Sequence, residues 1–209
     1  MKKRTGEIIE ILNQYFGTEY ICYLDYETPW QLLIATILSA QCTDARVNIV
    51  TRNLFEKYKS VKDFANANLY ELESDIKSTG FYRNKAKNII ACMKDVDTKF
   101  NGDIPRDIDE LTSLAGVGRK TANVIRSNIF RDPSVVVDTH VMRISKRLKL
   151  TKENTPEKIE QDLMKELPRD HWILYNIQII AFGRSICTAR NPKCTKCPLT
   201  KYCKDYNRE

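Results

Sequence analysis

Helix-type spacing of apolar residues runs through almost the whole chain and constrains its fold more than any other feature. The segment 30–40, WQLLIATILSA, is apolar almost all round, as is typical of a fully buried helix. Val47, Val50 and Leu54 then recur at i, i+3 and i+7, which indicates one face of a second helix. Alternation of the strand type is almost absent, and the one β-branched run, Val135–Val137, has three residues. The pattern predicts an all-α fold.

Cap and turn residues divide this pattern into separate helices. Thr28 followed by Pro29 marks one helix start, because threonine caps a helix and proline fits its first turn. Glycine and proline number only seven each, so we expect short connections. Further helices are predicted at 61–64, 69–78, 84–100, 107–113, 119–130, 139–148, 156–167 and 170–181, the last ending at Gly183.

Composition excludes several classes of protein. The chain has 209 residues, which allows one or two domains with buried cores. With 42% hydrophobic and 29% charged residues it is too apolar for a disordered protein. No run approaches the about 18 to 20 apolar residues that a membrane span needs. The start, MKKRTGEIIEIL, contains neither an apolar export region nor a cleavage site, so we expect a cytoplasmic protein.

The seven cysteines are unevenly distributed, because four of them fall within the last 23 residues. An odd number in a cytoplasmic chain argues against a disulfide framework, and four crowded thiols argue for a metal or cluster site. Their x6, x2 and x5 spacing suits zinc and an iron-sulfur cluster equally. The four are Cys187, Cys194, Cys197 and Cys203, and the scattered Cys22, Cys42 and Cys92 are expected to be small buried residues.

Positive charge is concentrated around these cysteines. Of a total net charge of +7, residues 184–209 carry a net +5. A basic run is often a solvated face, but on a cluster loop it favours contact with phosphates. The basic residues are Arg184, Arg190, Lys193, Lys196, Lys201, Lys204 and Arg208, against Asp205 and Glu209.

A tight turn joins two predicted helices in the segment 111–122, LTSLAGVGRKTA. Gly116 and Gly118 allow the backbone to approach another molecule closely, on either side of Val117. The N–H groups at the start of the second helix, beside Arg119, would form a cradle for a phosphate. The alternative is an ordinary helix connection with a glycine cap.

Lys120 and Asp138 are the candidates for chemistry. Lys120 lies in the first turn of a helix, where the helix dipole and Arg119 oppose an ammonium and favour the amine that a nucleophile requires. Most lysines in such positions are solvated surface charges. Asp138 follows the buried valine run and precedes a helix, so it is either an N-cap or a carboxylate acting in a cleft.

These segments together resemble the endonuclease III family of DNA glycosylases, in the helix-hairpin-helix superfamily. The resemblance rests on SAQCTD, LAGVGRKTA, VVVDTHVMR about 20 residues later, and C-x6-C-x2-C-x5-C, and it extends from about Thr28 to Cys203. It implies a helical barrel domain at 22–132, with the helix-hairpin-helix at about 107–130. A discontinuous cluster domain would combine 1–21 and 133–209, with the active site in the cleft between the domains.

The resemblance also implies a bifunctional glycosylase and abasic-site lyase. Its substrate would be double-stranded DNA with oxidised pyrimidines or abasic sites, and the enzyme would act as a monomer. After the damaged nucleotide is flipped out, Lys120 would attack C1′ of the deoxyribose. Asp138 would take up the proton of the amine or stabilise positive charge on the sugar. β-Elimination would then cut the strand on the 3′ side.

Four other residues receive roles through the same resemblance. Gln41 would enter the space vacated by the flipped base; otherwise it is a solvated residue at a helix end. Phe81 stands where the family usually has an aliphatic wedge and could stack between bases. Asp44 would shape the active cleft or, alternatively, cap the second helix. His140 would support the cleft, packing and hydrogen-bonding near Asp138.

For the tail, the resemblance implies one four-iron four-sulfur (4Fe-4S) cluster held by the four clustered cysteines. The cluster loop, 187–203, would present Lys193 and Lys196 to DNA phosphates. Two competing functions are an adenine-mismatch glycosylase that works without a lysine and a catalytically silent DNA-binding protein. Lys120 and the short segment after Cys203 disfavour the first, and the pairing of Lys120 with Asp138 disfavours the second.

Overall fold

The computed structural model describes residues 2–206, and all regular structure in that range is helical. This confirms the predicted all-α class. Four single turns of 3₁₀ helix occur at Lys77–Thr79, Arg169–His171, Cys194–Lys196 and Thr200–Tyr202. The α-helices are α1 Lys3–Phe16, α2 Pro29–Leu38, α3 Asp44–Lys57, α4 Val61–Ala65, α5 Leu69–Asp75, α6 Tyr82–Lys99, α7 Ile108–Ser113, α8 Arg119–Ile129, α9 Thr139–Arg147, α10 Pro156–Glu166 and α11 Trp172–Ser185.

The chain divides into two compact units. The central unit comprises Cys22–Asp132 and contains α2 to α8. The terminal unit joins the chain up to Ile21 with the chain from Pro133 onward, so α1 belongs with α9, α10 and α11. The discontinuous unit requires the N-terminal helix to pack on helices far along the sequence.

Helix α2 forms the centre of the core of the central unit. Residues 31–38 are all buried, and the helix packs on α3, α6 and α8. At its start, the Gln31 side chain accepts hydrogen bonds from the backbone N–H groups of Glu27 and Thr28, at 2.7 and 3.0 Å. These two bonds, which are the Gln31 half of a capping box, confirm the helix start predicted at Thr28 and Pro29, and burial on all sides explains the uninterrupted apolar run.

In the terminal unit, α1 and α9 both pack on α11. Gln178 of α11 is fully buried and donates hydrogen bonds to Asn13 Oδ1 at 2.8 Å and to the Gly17 carbonyl at 2.7 Å. These bonds tie a side chain in the last turn of α1, and the residue that follows the helix, to α11. Buried Tyr175 shares a hydrogen bond of 2.9 Å with Ser145 of α9. Polar contacts therefore fix both helices on α11.

Helix α11 differs from its prediction, since it runs from Trp172 to Ser185 and passes through Gly183. A Cβ atom at residue 183 would lie 2.3 Å from His140 Nδ1. Gly183 therefore allows the close packing of α9 on α11 and does not end the helix. The sequence rule for glycine as a helix end failed here because the contact comes from a distant residue.

Two smaller differences concern the ends of helices. The predicted helix 69–78 ends at Asp75, and a separate 3₁₀ turn covers Lys77–Thr79. Helix α6 begins at Tyr82, two residues earlier than predicted. Among the scattered cysteines, Cys92 is buried as predicted, whereas Cys22 and Cys42 are partly exposed.

Candidate active site

The glycine turn lies between α7 and α8, as the sequence predicts. Asp107 caps α7 by accepting hydrogen bonds from the N–H groups of Asp109 and Glu110, at 2.8 and 3.1 Å. These bonds hold the pKa of the Asp107 carboxyl below its usual range. The Val117 side chain is buried. The buried apolar side chains of this segment pack into the core, while its two glycines are exposed.

The two glycines of the turn serve different purposes. Gly116 has a φ of +77°, and a Cβ atom there would lie only 2.9 Å from Asn88 Cβ. Gly118 has an ordinary φ of −87°, and a Cβ atom there would meet no heavy atom of the described chain within 4 Å. Gly116 is therefore required by the fold, whereas Gly118 leaves open space in front of the first turn of α8.

Lys120 is the second residue of α8 and is exposed, like Arg119 before it. Because Gly118 is the N-cap and has no side chain, it cannot supply an oxygen to the first N–H groups of the helix. Those groups and the positive end of the helix dipole favour an anion at this position.

Gln41 and Phe81 both adopt left-handed backbone conformations, with φ of +54° and +49°. Gln41 is exposed in the turn after α2, and Phe81 is 64% exposed at the N-cap of α6. A residue other than glycine costs about 1–3 kcal/mol in such a conformation, and strain of this kind clusters at functional sites. The sequence patterns do not reveal this shared geometry.

Asp44 is the first helical residue of α3, and the N-cap is its neighbour Thr43. Thr43 Oγ1 accepts a hydrogen bond from the Arg46 N–H at 3.3 Å. The alternative that Asp44 itself caps this helix is therefore wrong. Burial raises the pKa of the Cys22 thiol, and the Asp44 carboxylate raises it further, which places the two groups near each other.

Asp138 is the N-cap of α9, and its Oδ1 accepts a hydrogen bond from the Val141 N–H at 2.7 Å. Its side chain is partly buried at the point where the buried valine segment enters the helix. The cap holds the carboxylate in one orientation and uses one of its two oxygens. A fixed carboxylate is suited to face a positive charge that develops on a bound molecule.

His140 lies beside this cap and is also partly buried. Its Nδ1 accepts a hydrogen bond of 3.3 Å from Arg143, so the bond predicted near Asp138 is made to an arginine. Burial lowers the pKa of His140, while the Asp138 carboxylate acts in the opposite direction. Arg143 also donates to the Cys187 carbonyl at 2.8 Å and thus links α9 to the cysteine segment.

All four clustered cysteines line one cavity of about 140 Å³. Arg147 donates a hydrogen bond to Cys187 Sγ at 3.1 Å, as expected for a thiolate ligand with a supporting outer contact. Burial raises the pKa of the Cys197 thiol, and the charges of the other three cysteines raise it further. Four thiols around a shared cavity suit a polynuclear cluster.

The basic residues around this cavity are partly neutralised by neighbours. Lys201 pairs with Glu7 at 3.3 Å, and Asp205 pairs with Arg147 at 3.1 Å. Lys193 and Lys196 are exposed, and Lys193 also lines the cavity. Arg208 and Glu209, which contribute to the predicted charge of the tail, lie outside the described residues.

One buried cation, Lys85 of α6, is missing from the candidates found in the sequence. It is only 5% exposed, and its Nζ donates hydrogen bonds to the carbonyls of Leu38 and Thr79, both at 2.8 Å. Its spacing to the buried residues Ile89 and Val96 on the same helix is the signal that could have identified it.

In the described part of the chain, no helix has the length and apolar character needed to cross a membrane. Residues 34–169 match the family model described as HhH-GPD superfamily base excision DNA repair protein. Residues 187–203 match the iron-sulfur binding domain of endonuclease III. Both matches agree with the order of motifs in the chain.

Relatives and solved structures show the same similarity over nearly the full length. Endonuclease III of Synechocystis sp. (strain ATCC 27184 / PCC 6803 / Kazusa) is 48% identical over 203 residues, which cover 97% of this chain and 92% of the relative. Endonuclease III of Bacillus subtilis (strain 168) is 47% identical over 185 residues, covering 88% and 84%. The structure of a trapped endonuclease III–DNA covalent intermediate superposes with a TM-score of 0.92 and 44% identity, covering 99% and 98%.

Proposed function

The chain belongs to the endonuclease III family of base excision DNA repair proteins, and from this premise we propose that Lys120 and Asp138 perform its chemistry. It is a DNA glycosylase and abasic-site lyase, which removes a damaged base and then cuts the strand. The observation that carries the assignment of Lys120 is its exposed position in the first turn of α8, behind the glycine N-cap.

Binding begins at the turn between α7 and α8. A phosphate of the damaged strand accepts hydrogen bonds from the backbone N–H groups at the start of α8, beside Gly118 and Arg119. These contacts do not read the base, so they position any sequence equally. They hold the sugar of the damaged nucleotide within reach of the Lys120 amine.

The glycosylase step exchanges one bond at C1′ for another. The neutral Lys120 amine forms a bond to C1′ as the bond from C1′ to the base breaks. The base leaves with the electron pair of that bond and takes up a proton, and the amine loses one. Asp138 accepts the proton of the amine or faces the positive charge at the sugar. The nitrogen lone pair then breaks the bond from C1′ to the ring oxygen O4′, which takes up a proton, and the product is an iminium that joins Lys120 to the opened deoxyribose.

The lyase step follows from the electron demand of this iminium. It acidifies the proton on C2′, and loss of that proton expels the oxygen of the 3′ phosphate. The strand is then cut on the 3′ side of the lesion, and water hydrolyses the imine to release the Lys120 amine. One lysine thus serves both activities.

Gln41 and Phe81 are proposed to occupy the opened duplex. The amide of Gln41 has donors and an acceptor, so it can pair with the base that loses its partner. Phe81 offers an aromatic face that can stack between bases. Both side chains are exposed and both backbones are left-handed, which supports this role. Asp44 and His140 are proposed to support the surrounding cleft.

The protein binds one 4Fe-4S cluster, and we propose that Cys187, Cys194, Cys197 and Cys203 hold it. When bound, the cluster supplies four iron–thiolate bonds that fix the loop 187–203. Without these bonds, the exposed Lys193 and Lys196 would lie on a chain segment with little regular structure. A loop tied at these four cysteines would hold the two lysines in place for phosphates.

Oxidised pyrimidines are the proposed substrates, and the enzyme is proposed to work as a monomer on DNA in the cytoplasm. Membership of the family supports the choice of lesion. Cleavage rates on duplexes that each carry one lesion, with thymine glycol, dihydrouracil and uracil compared, test this choice. Equal rates on all duplexes, damaged and undamaged, would contradict it.

The assignment of Lys120 is tested by trapping the imine. An abasic-site duplex incubated with the protein and borohydride should give a covalent adduct, which should be absent in Lys120→Gln. Lys94→Gln, an equal change at an exposed lysine of α6, should leave the adduct intact. An adduct that persists in Lys120→Gln would overturn the assignment, and excision of adenine from a mismatch without any adduct would favour an adenine-mismatch glycosylase.

A further inference from the structure

Lys85 is a buried cation that joins the ends of two helical segments. Its Nζ donates one hydrogen bond of 2.8 Å to the carbonyl of Leu38, the last residue of α2. The other, also 2.8 Å, goes to the carbonyl of Thr79, the last residue of a 3₁₀ turn. The lysine itself belongs to the first turns of α6. One side chain thus connects three segments of the central unit.

The energetics of this arrangement favour a role in joining the ends of two helical segments over simple packing. A charged amine is costly to bury, and burial lowers the pKa of Lys85. The last carbonyls of a helix have no partners within it and carry partial negative charge, so they are suitable acceptors for an ammonium. An apolar residue would fill the same space without the cost of desolvation but would leave both carbonyls without these donors.

Each of the two carbonyls lies just before a residue proposed to enter the duplex. Gln41 comes three residues after Leu38, and Phe81 comes two residues after Thr79. The turn that carries Gln41 is closed by a hydrogen bond from the Cys42 N–H to the Ser39 carbonyl at 3.0 Å. The Phe81 carbonyl accepts a hydrogen bond from the Lys85 N–H at 3.1 Å. The Lys85 side chain therefore bonds to a residue just before each of the two turns. The Lys85 N–H in addition bonds to Phe81 itself.

We propose that Lys85 is a positioning residue that holds the Gln41 and Phe81 turns in a fixed relation, so that both side chains enter the duplex together. Holding the two strained turns in place before DNA binds lowers the entropy lost when they enter the base stack. The inference rests on the proposed roles of Gln41 and Phe81. Lys85 does not touch the reacting atoms, so it acts on opening of the duplex and leaves the imine chemistry unchanged.

The test compares the effect of one substitution in two backgrounds. Single-turnover cleavage of a duplex with one abasic site is measured for wild type, Lys85→Met, Gln41→Ala/Phe81→Ala and the triple variant. Lys85→Met should slow cleavage by about tenfold in the wild-type background and by less than twofold where Gln41 and Phe81 are already alanine. 2-Aminopurine opposite the abasic site should show a smaller rise in fluorescence with Lys85→Met, because the side chains enter the stack less often.

Two control variants distinguish loss of the positioning of Gln41 and Phe81 from a general loss of protein stability. Lys94→Met makes the same change on an exposed part of α6 and should leave the rate unchanged. Met93→Ala creates a cavity under the same helix and should leave the 2-aminopurine signal unchanged below its melting temperature. If Lys85→Met does not fold, Lys85→Gln enters the same cycle, because its uncharged amide nitrogen lies one bond closer to the backbone than Nζ and cannot bond to both carbonyls; its loss of rate should likewise disappear in the Gln41→Ala/Phe81→Ala background.

The outcomes distinguish this inference from the roles on which it rests. An equal loss of rate in both backgrounds would mean that Lys85 acts independently of the two side chains, and it would overturn the inference. Full activity of Gln41→Ala/Phe81→Ala would instead refute the proposed wedge roles. A tenfold loss that disappears in the double variant, together with the reduced fluorescence, would support the positioning role.

Discussion

The starts of α8 and α9 carry the two residues proposed for catalysis, yet they are built in opposite ways. Helix α8 begins behind Gly118, which has no side chain to offer its N–H groups, and Lys120 in its first turn is exposed. Helix α9 begins behind Asp138, whose carboxylate accepts the Val141 N–H at 2.7 Å and is partly buried. One helix start is open to an anion from outside, and the other supplies its own anion.

The difference shows that binding DNA and stabilising a reacting sugar place opposite demands on a helix start. A phosphate can use the N–H groups of α8 only if no side chain of the protein occupies them. Asp138 is useful near a developing positive charge only if it keeps one orientation, and the capping hydrogen bond provides that. Glycine is only a few tenths of a kcal/mol poorer than polar N-caps, so the open start of α8 costs little stability.

The largest effect is expected from Asp138→Asn, which keeps the cap and removes the charge. Asparagine caps helices as well as aspartate, so the free energy of unfolding should change little. Base release and strand cleavage should slow by about 10²–10⁴-fold, the range found for a lost acid or base group. Single-turnover rates on one lesion duplex, with urea unfolding of the same samples, measure both quantities.

Asp138→Ala is the matched variant, because it removes the cap and the charge together. It should add a loss of about 0.5–2 kcal/mol in the free energy of unfolding to the same loss of rate. If Asp138→Asn cleaved DNA at nearly the rate of wild type, Asp138 would be a helix cap alone. The contrast between the two helix starts would then concern structure and not catalysis.

A smaller effect is expected from Gly118→Asp, which gives α8 a cap like that of α9. The carboxylate would occupy the N–H groups proposed for phosphate and would repel the DNA strand. Loss of one hydrogen bond to a charged group corresponds to about 1.5–3 kcal/mol, or roughly 10- to 100-fold in affinity. Fluorescence anisotropy with an abasic-analogue duplex at one fixed salt concentration measures this loss.

Ser74→Asp provides the control for charge, since Ser74 is exposed on α5 and the substitution changes the net charge equally. It should weaken binding far less than Gly118→Asp. Equal weakening by both variants would show that overall electrostatics dominate, and that the start of α8 is not a specific phosphate site. The salt dependence of binding separates these cases, because only lost phosphate contacts reduce its slope.

Features governed by local sequence could be predicted well. The burial of α2 follows from its continuous apolar run, and the start of α7 follows from the capping preference of Asp107. The hairpin between α7 and α8 follows from two glycines and the apolar spacing around them. In each case the physical cause lies within a few residues of the feature.

Features that depend on distant residues could not be predicted in this way. Lys85 is buried because it meets carbonyls, one of them 47 residues away in the chain, whereas a lysine in a helix is ordinarily expected to be solvated. Gly183 lies within α11 because His140 packs against it. The left-handed conformations of Gln41 and Phe81 occur in residues that do not favour them, so no turn signal marks them.

The smallest effect on DNA cleavage is expected from Gly116→Ala, which separates the two glycines of the hairpin. Alanine at a φ of +77° is strained, and its Cβ would lie 2.9 Å from Asn88 Cβ, so the free energy of unfolding should fall by about 1–3 kcal/mol. Urea unfolding measures this loss, and cleavage at 25 °C should stay close to wild type while the protein remains folded.

Gly118→Ala meets no such contact, so it should destabilise the protein by less than about 1 kcal/mol. An equal loss in the free energy of unfolding in both variants would show that the fold requires Gly118 as much as Gly116. Packing would then explain Gly118, as in an ordinary helix connection, and the open space before α8 would not.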